Sequence, residues 1–117
     1  MITGHVTEDG VPVINLVIAG KTWLPIIDTG FNGDLELPSA LQGQLNDRQV
    51  GRLKSTLAGG QVIEEDAHLV EFPFDGRILQ ATATFVPDSP MLIGTNLLRE
   101  YFLQIHFTTR TLQLELE

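Results

Sequence analysis

A mainly β fold with one or two short helices is predicted for this 117-residue chain by three features of its sequence. Apolar, β-branched runs come in pairs around glycine, with Val11 to Ala19 and Trp23 to Ile27 flanking Gly20. The C-terminal segment alternates apolar and polar residues, and helix-like composition is confined to two short stretches. With 43% hydrophobic and 19% charged residues, the balance is that of an ordinary globular domain, so residues 1–117 are read as a single domain. A chain of this size buries roughly two thirds of its unfolded surface, so a deep cleft within it would consume much of the core. A cleft between two copies would not.

The elements follow in order. Val11 to Ala19 and Trp23 to Ile27, joined through Ala19-Gly20-Lys21, form a buried hairpin. Asp28 to Gly33 interrupts the apolar pattern as a loop, and Leu35 and Leu37 then alternate with Asp34 and Glu36 as a half-buried strand. Pro38-Ser39-Ala40-Leu41 starts a short helix that Gly43 limits to about two turns. Gln49 to Leu57 and Gln61 to Phe72 flank Ala58-Gly59-Gly60, whose two glycines permit a tight hairpin turn, and the polar hairpin is expected to stand off the core. A second turn lies at Phe74-Asp75-Gly76-Arg77, followed by a strand from Ile78 to Val86 and a rigid Pro87-Asp88-Ser89-Pro90 loop. Gly94 to Tyr101 reads as a second helix, with Thr95 or Asn96 as its cap. Leu103, Ile105 and Phe107, then Leu112, Leu114 and Leu116, place one apolar face on a terminal hairpin across Thr108-Thr109-Arg110.

Charge and composition exclude several functions. Seven basic residues against fifteen acidic ones give a net charge of −8, with no basic cluster, which argues against nucleic-acid binding. The same field favours neutral or basic ligands over acidic ones. There is no cysteine, hence no thiol nucleophile, disulfide or cysteine zinc site. The first residues lack a basic segment leading into an apolar run, and no stretch approaches the roughly 18 apolar residues that span a bilayer. A cytoplasmic protein without membrane association is therefore expected.

Leu24-Pro25-Ile26-Ile27-Asp28-Thr29-Gly30-Phe31-Asn32-Gly33 carries the strongest chemical signal, an acid closing an apolar strand with glycine two residues on. Burial raises a carboxyl pKa and a neighbouring carboxylate raises one of the pair further, so two such acids can share a proton and act as an acid/base dyad. Asp-Thr-Gly is also an ordinary turn sequence, its acid accepting backbone hydrogen bonds and its glycine taking positive φ. Both readings stand on the tripeptide alone.

Three further features accompany it: the short strand after the loop, the hairpin tipped by Ala58-Gly59-Gly60-Gln61, and Met91-Leu92-Ile93-Gly94-Thr95-Asn96-Leu97-Leu98. In order and spacing they resemble the retropepsin-like aspartic proteases over nearly the whole chain. The resemblance implies a homodimeric acid-protease half-barrel in which Asp28 of each copy binds one water between them, with no metal or other cofactor. It implies that Thr29 bonds across the dyad and Gly30 lets substrate backbone approach. Phe31, Asn32, Gly33, Ile93 and a flap at Ala58, Gly59, Gly60 and Gln61 would contact a peptide or protein substrate. Phe31 stands where many members carry a small residue. Asn32 and Thr95 stand where retroviral members have an acid and an arginine, and Asp-Thr-Gly-Phe-Asn-Gly followed by Leu and Leu-Pro looks more like the small prokaryotic members. The terminal strands would seal the dimer, with Leu112, Leu114 and Leu116 as a candidate contact. Phe31 supports a second reading, a dimeric peptide-binding or assembly module that keeps the groove and hydrolyses little or nothing.

Other polar groups have plainer explanations. Glu64-Glu65-Asp66 on a polar strand reads as a solvated face. His5, His68 and His106 match no metal spacing and are read as surface residues. No phosphate loop and no Gly-x-Ser-x-Gly is present.

Overall fold

Alternating apolar residues and glycine turns become twelve β-strands in the computed structural model, which describes residues 1–56 and 59–117, the side chains of Leu53 and Ser55 excepted. The strands are β1 (Ile2–Val6), β2 (Pro12–Ile14), β3 (Leu16–Ile18), β4 (Lys21–Trp23), β5 (Ile26–Ile27) and β6 (Leu35–Pro38). They continue as β7 (Asp47–Thr56), β8 (Val62–Phe74), β9 (Arg77–Val86), β10 (Leu92–Ile93), β11 (Tyr101–His106) and β12 (Thr111–Leu116). Ten form one open sheet in the order β11-β12-β1-β2-β5-β10-β6-β9-β8-β7, and β3 and β4 form a separate hairpin. Among the described residues no helix is long and apolar enough to cross a membrane.

Two turns have the backbone their sequences require. Ala19 (φ 51°) and Gly20 (φ 79°) join β3 to β4, and Asp75 (φ 54°) and Gly76 (φ 71°) join β8 to β9. Positive φ at both central residues gives the turn twist that matches antiparallel strands.

The centre of the sheet positions the site. β10 lies between β5 and β6, parallel to the first (Ile93 beside Ile27) and antiparallel to the second (Ile93 beside Leu35). The strands flanking the Asp28 loop are thus separated by a strand from some sixty residues later in the chain, and the loop must bridge roughly two inter-strand spacings of about 4.8 Å each. Leu35, Leu37, Ile93, Phe72, Phe74 and Leu114 are essentially inaccessible in one core. Each such side chain contributes roughly 2 kcal/mol of burial free energy.

Several expectations are corrected. Val11 to Ala19 is two strands rather than one, and Val17 and Leu24 remain exposed, so the first hairpin is buried on one side only. The first short helix shrinks to a single 3-10 turn at Ser39–Leu41, because Pro38 is still paired with Val86 in the sheet and Gly43 turns the chain at φ 86°. The second is absent. Residues after Gly94 form successive turns, with Leu98 donating to the Thr95 carbonyl (3.2 Å) and Tyr101 to that of Leu98 (2.8 Å). The polar groups that would have capped a helix, on Thr95 and Asn96, are bound to the Asp28 loop instead. Leu112 and Leu114, offered as a contact between copies, are 1% and 0% exposed within their own chain, and only Leu116 of that trio reaches solvent.

His5 and His106 lie at the surface, but His68 does not: it is 8% exposed, its Nδ1 lies 3.1 Å from Asp47 Oδ2, and its ring meets Phe85 edge-on at 5.0 Å. It anchors the root of the long hairpin. β8 pairs with β9 only from His68 onward, so Val62 to Ala67 pair with β7 alone and form a two-stranded arm. A bulge between Gln49 and Gly51 bends that arm.

Candidate active site

Asp28 is the first residue beyond β5. Its N–H still donates to the Ile93 carbonyl (3.0 Å), which extends the β5–β10 pairing by one step. Its side chain is half-buried, and its Oδ1 accepts the Gly30 N–H (2.9 Å), while the Phe31 N–H closes a turn on the Asp28 carbonyl (3.1 Å). No ion pair engages Asp28 among the described residues, and Oδ2 has no hydrogen-bond partner there. Gly30 sits close to the acid: a β-carbon on it would lie 3.3 Å from Asp28 Oδ1, so the carboxylate would have to shift by a few tenths of an ångström.

Phe31 occupies a seat made by two glycines. A β-carbon on Gly33 would come within 2.8 Å of its ring, and one on Gly94 within 2.7 Å of the ring and 2.8 Å of the Phe31 carbonyl oxygen. The aromatic residue is therefore built into the loop, half-buried against bare backbone. The turn after β10 fixes the same loop from behind. Gly94 N–H donates to the Asp34 carbonyl (2.9 Å), Thr95 N–H to that of Phe31 (2.8 Å) and Asn96 N–H to that of Gly33 (3.2 Å).

Sequence reasoning missed the side-chain clamp that completes this arrangement. Asp34 Oδ1 accepts from Asn96 Nδ2 (2.6 Å) and Oδ2 accepts the Thr82 N–H of β9 (2.9 Å), so one carboxylate ties together the acid loop, the turn after β10 and the sheet. Asn32 is exposed, and Thr95 serves the Phe31 carbonyl. The only available signal was the pairing of an acid just before β6 with an asparagine two residues after Gly94. Asp34→Ala would strand two donors and is expected to cost about 2 kcal/mol, read as a lowered denaturant midpoint with an unchanged slope.

The structure brings Asp28, Thr29, Gly30, Phe31, Asn32 and Gly33 together in one loop. Ile93 is corrected as a substrate-contacting side chain. It is 0% exposed in the core, and its carbonyl, not its side chain, serves the loop by holding Asp28. Gly59, Gly60 and Gln61 are exposed at the tip of the arm, with Gly60 at φ 82°, while Ala58 lies outside the described residues. On the outer side of the loop, Thr29, Asn32, Thr95, Leu98, Arg99 and Leu103 line an open groove of about 580 Å³.

Chemically, the loop offers one carboxylate oxygen, Asp28 Oδ2, without a hydrogen-bond partner among the described residues. The second acid of the loop, Asp34, has both oxygens engaged. No family model and no curated protein matches the sequence. Among solved structures, a retropepsin-like aspartic protease from Rickettsia conorii is similar at 18% identity and a TM-score of 0.65, over 97% of this chain and 88% of that one. The chain thus has a mainly β, retropepsin-like fold, with β10 threaded between the two strands that carry the acid loop.

Proposed function

We propose that the chain is an aspartic endopeptidase whose site forms between two copies. One observation carries the reading: Asp28 has an oxygen without a partner among the described residues, while the loop's second acid is consumed by its clamp. Two-carboxylate hydrolysis then needs an acid from elsewhere, and a second Asp28 loop across a two-fold axis supplies it. Two carboxylates side by side retain one proton between them. The ionised one takes a proton from water as the water oxygen attacks the scissile carbonyl carbon, and the protonated one donates to the carbonyl oxygen. Transfer of a proton to the amide nitrogen breaks the C–N bond and releases a carboxylic acid and an amine. Thr29, exposed beside Asp28, would meet its counterpart in this reading, and the open groove beyond it is the surface we assign to the partner copy. An extended peptide would pair with the loop and with the β7–β8 arm, which acts as a flap.

Subunit mixing tests this directly. Wild-type and Asp28→Asn chains are refolded together at a fixed total concentration, and peptide cleavage is followed against the wild-type fraction. A site needing Asp28 from both copies gives activity proportional to the square of that fraction. A straight line would mean that one chain suffices, and the reading would fall.

A further inference from the structure

The strand after the acid loop sends its side chains to two faces. Leu35 and Leu37 enter the core, so Asp34 and Glu36 point to the opposite side. β9 lies parallel beside it with Thr84 against Glu36, and since Ala81 and Ala83 are the core residues of β9, Thr82 and Thr84 share the face of Glu36. These residues, together with Phe31, Leu35 and Glu65 of the arm, line a pocket of about 260 Å³ that begins three residues beyond Asp28. That is below the roughly 300–1,000 Å³ of a drug-sized site and suits one long side chain.

Three properties define what would fill it. First, the pocket is acidic without a resident cation: the ion pairs of the described residues engage Asp47, Glu64, Asp66 and Asp75, but not Asp34, Glu36 or Glu65. Glu65 separates from its neighbours because the arm is a strand. Glu64 and Asp66 face Arg52 and Lys54, whereas half-buried Glu65 faces the pocket, which corrects the reading of all three as one solvated face. Second, Thr84 is 8% exposed and lines the pocket, yet no hydrogen bond among the described residues uses its hydroxyl. The residue is more than nine-tenths buried, and its hydroxyl is free to accept from a group that enters the pocket. Third, Phe31 supplies an aromatic wall. No group of three metal-ligating side chains converges among the described residues, and the aromatic wall favours an organic cation over a metal ion.

Resting on the peptidase reading, we propose that this pocket selects an arginine side chain of the substrate. The planar guanidinium presents five donors in a fork, enough to serve Glu36, Glu65 and Thr84 together, and stacks on an aromatic ring in a way a lysine ammonium does not. Glu36 keeps Oε1 for it, since Ser89 Oγ reaches only Oε2 of that carboxylate (3.0 Å) and divides its one proton between Oε2 and the Pro90 carbonyl (2.8 Å). Asp34 adds charge from behind while remaining bound to its own donors.

The test measures binding apart from cleavage. Arginine, lysine or citrulline, the neutral isostere of arginine, is placed in turn at each position of an end-capped, fluorescently labelled octapeptide. Affinity for full-length Asp28→Asn protein is then read by anisotropy. At one position arginine is expected to bind about tenfold more tightly than citrulline, with lysine between. Glu36→Gln with Glu65→Gln should close that gap to within about twofold while leaving the citrulline peptide unaffected. Gln at position 36 retains an oxygen for Ser89, so the fold is kept. Equal affinity for arginine and citrulline at every position, no measurable binding of either, or a gap that survives both glutamines overturns the assignment. The same peptides given to the wild-type protein separate the two claims. An arginine preference in binding without hydrolysis removes the peptidase and leaves the pocket, whereas hydrolysis without that preference does the reverse.

Discussion

Asp28→Asn is expected to lower peptide hydrolysis by about a thousandfold or more, the scale of losing acid/base transfer, with no change in the thermal midpoint. The two halves of that expectation come from different atoms of one side chain. Asparagine retains an oxygen where Asp28 Oδ1 accepts the Gly30 N–H at 2.9 Å, and the backbone bond to Ile93 is untouched, so the loop keeps its form. What is lost is the ability of the other oxygen to exchange a proton with water. Asp28→Ala removes the Gly30 acceptor as well and should add a destabilisation of about 1 kcal/mol. Cleavage of a diverse peptide pool from acid to neutral pH, beside thermal unfolding of the three proteins, separates chemistry from folding. Undiminished hydrolysis by the asparagine variant would leave Asp28 an ordinary turn residue. Unchanged peptide binding without hydrolysis by the wild type would instead favour the assembly-module alternative.

The parts of this site written within a few residues of one another were legible in the sequence. An apolar run ending in Asp28-Thr29-Gly30 announces a strand that stops at an acid, and the pairs Ala19-Gly20 and Asp75-Gly76 fix their own turns through backbone conformations few residues adopt. What required the structure was non-local. Local composition favoured a helix after Gly94, but Thr95 and Asn96 have partners sixty residues earlier, and their hydrogen bonds to the acid loop outweigh a short helix of marginal intrinsic stability. Asp34 looked like one polar residue in an alternating strand, and no periodicity could say that both its oxygens are occupied.

The same limit explains the misplaced surface residues. His68 falls on the core side of β8 with Val70 and Phe72, and a strand's two-residue period alone cannot tell which side is covered. Leu112 and Leu114 were correctly placed on one face, but which layer meets that face, a partner copy or the chain's own core, depends on strand order. Phe31 is the sharpest case. As a letter in a motif it looks like an obstruction, whereas in space it fills the gap left by Gly33 and Gly94.

That interlock gives the largest expected effect on folding, from adding a single methyl group at Gly94. Gly94 is buried, and no positive φ demands glycine there, so conformational freedom is not the reason for it. A β-carbon would meet three groups at once: the Gly33 carbonyl oxygen, the Phe31 carbonyl oxygen at 2.8 Å and the Phe31 ring at 2.7 Å. Two of the three are backbone, and both carbonyls accept hydrogen bonds from the turn that Gly94 begins, at 2.8 Å from Thr95 and 3.2 Å from Asn96. Relief of the overlap therefore breaks the bonds that hold the acid loop. Gly94→Ala is expected to destabilise the chain by about 3 kcal/mol, the upper range of overpacking, and to abolish hydrolysis in whatever fraction remains folded. Removing the ring in Phe31→Ala should recover only part of that loss, because the carbonyl contacts persist, and a double-mutant cycle in denaturant measures how much. Gly59→Ala supplies the control, since none of the described residues lies within 4 Å of a β-carbon there. If Gly94→Ala unfolds at the same denaturant concentration as Gly59→Ala, the acid loop is not held in the way described.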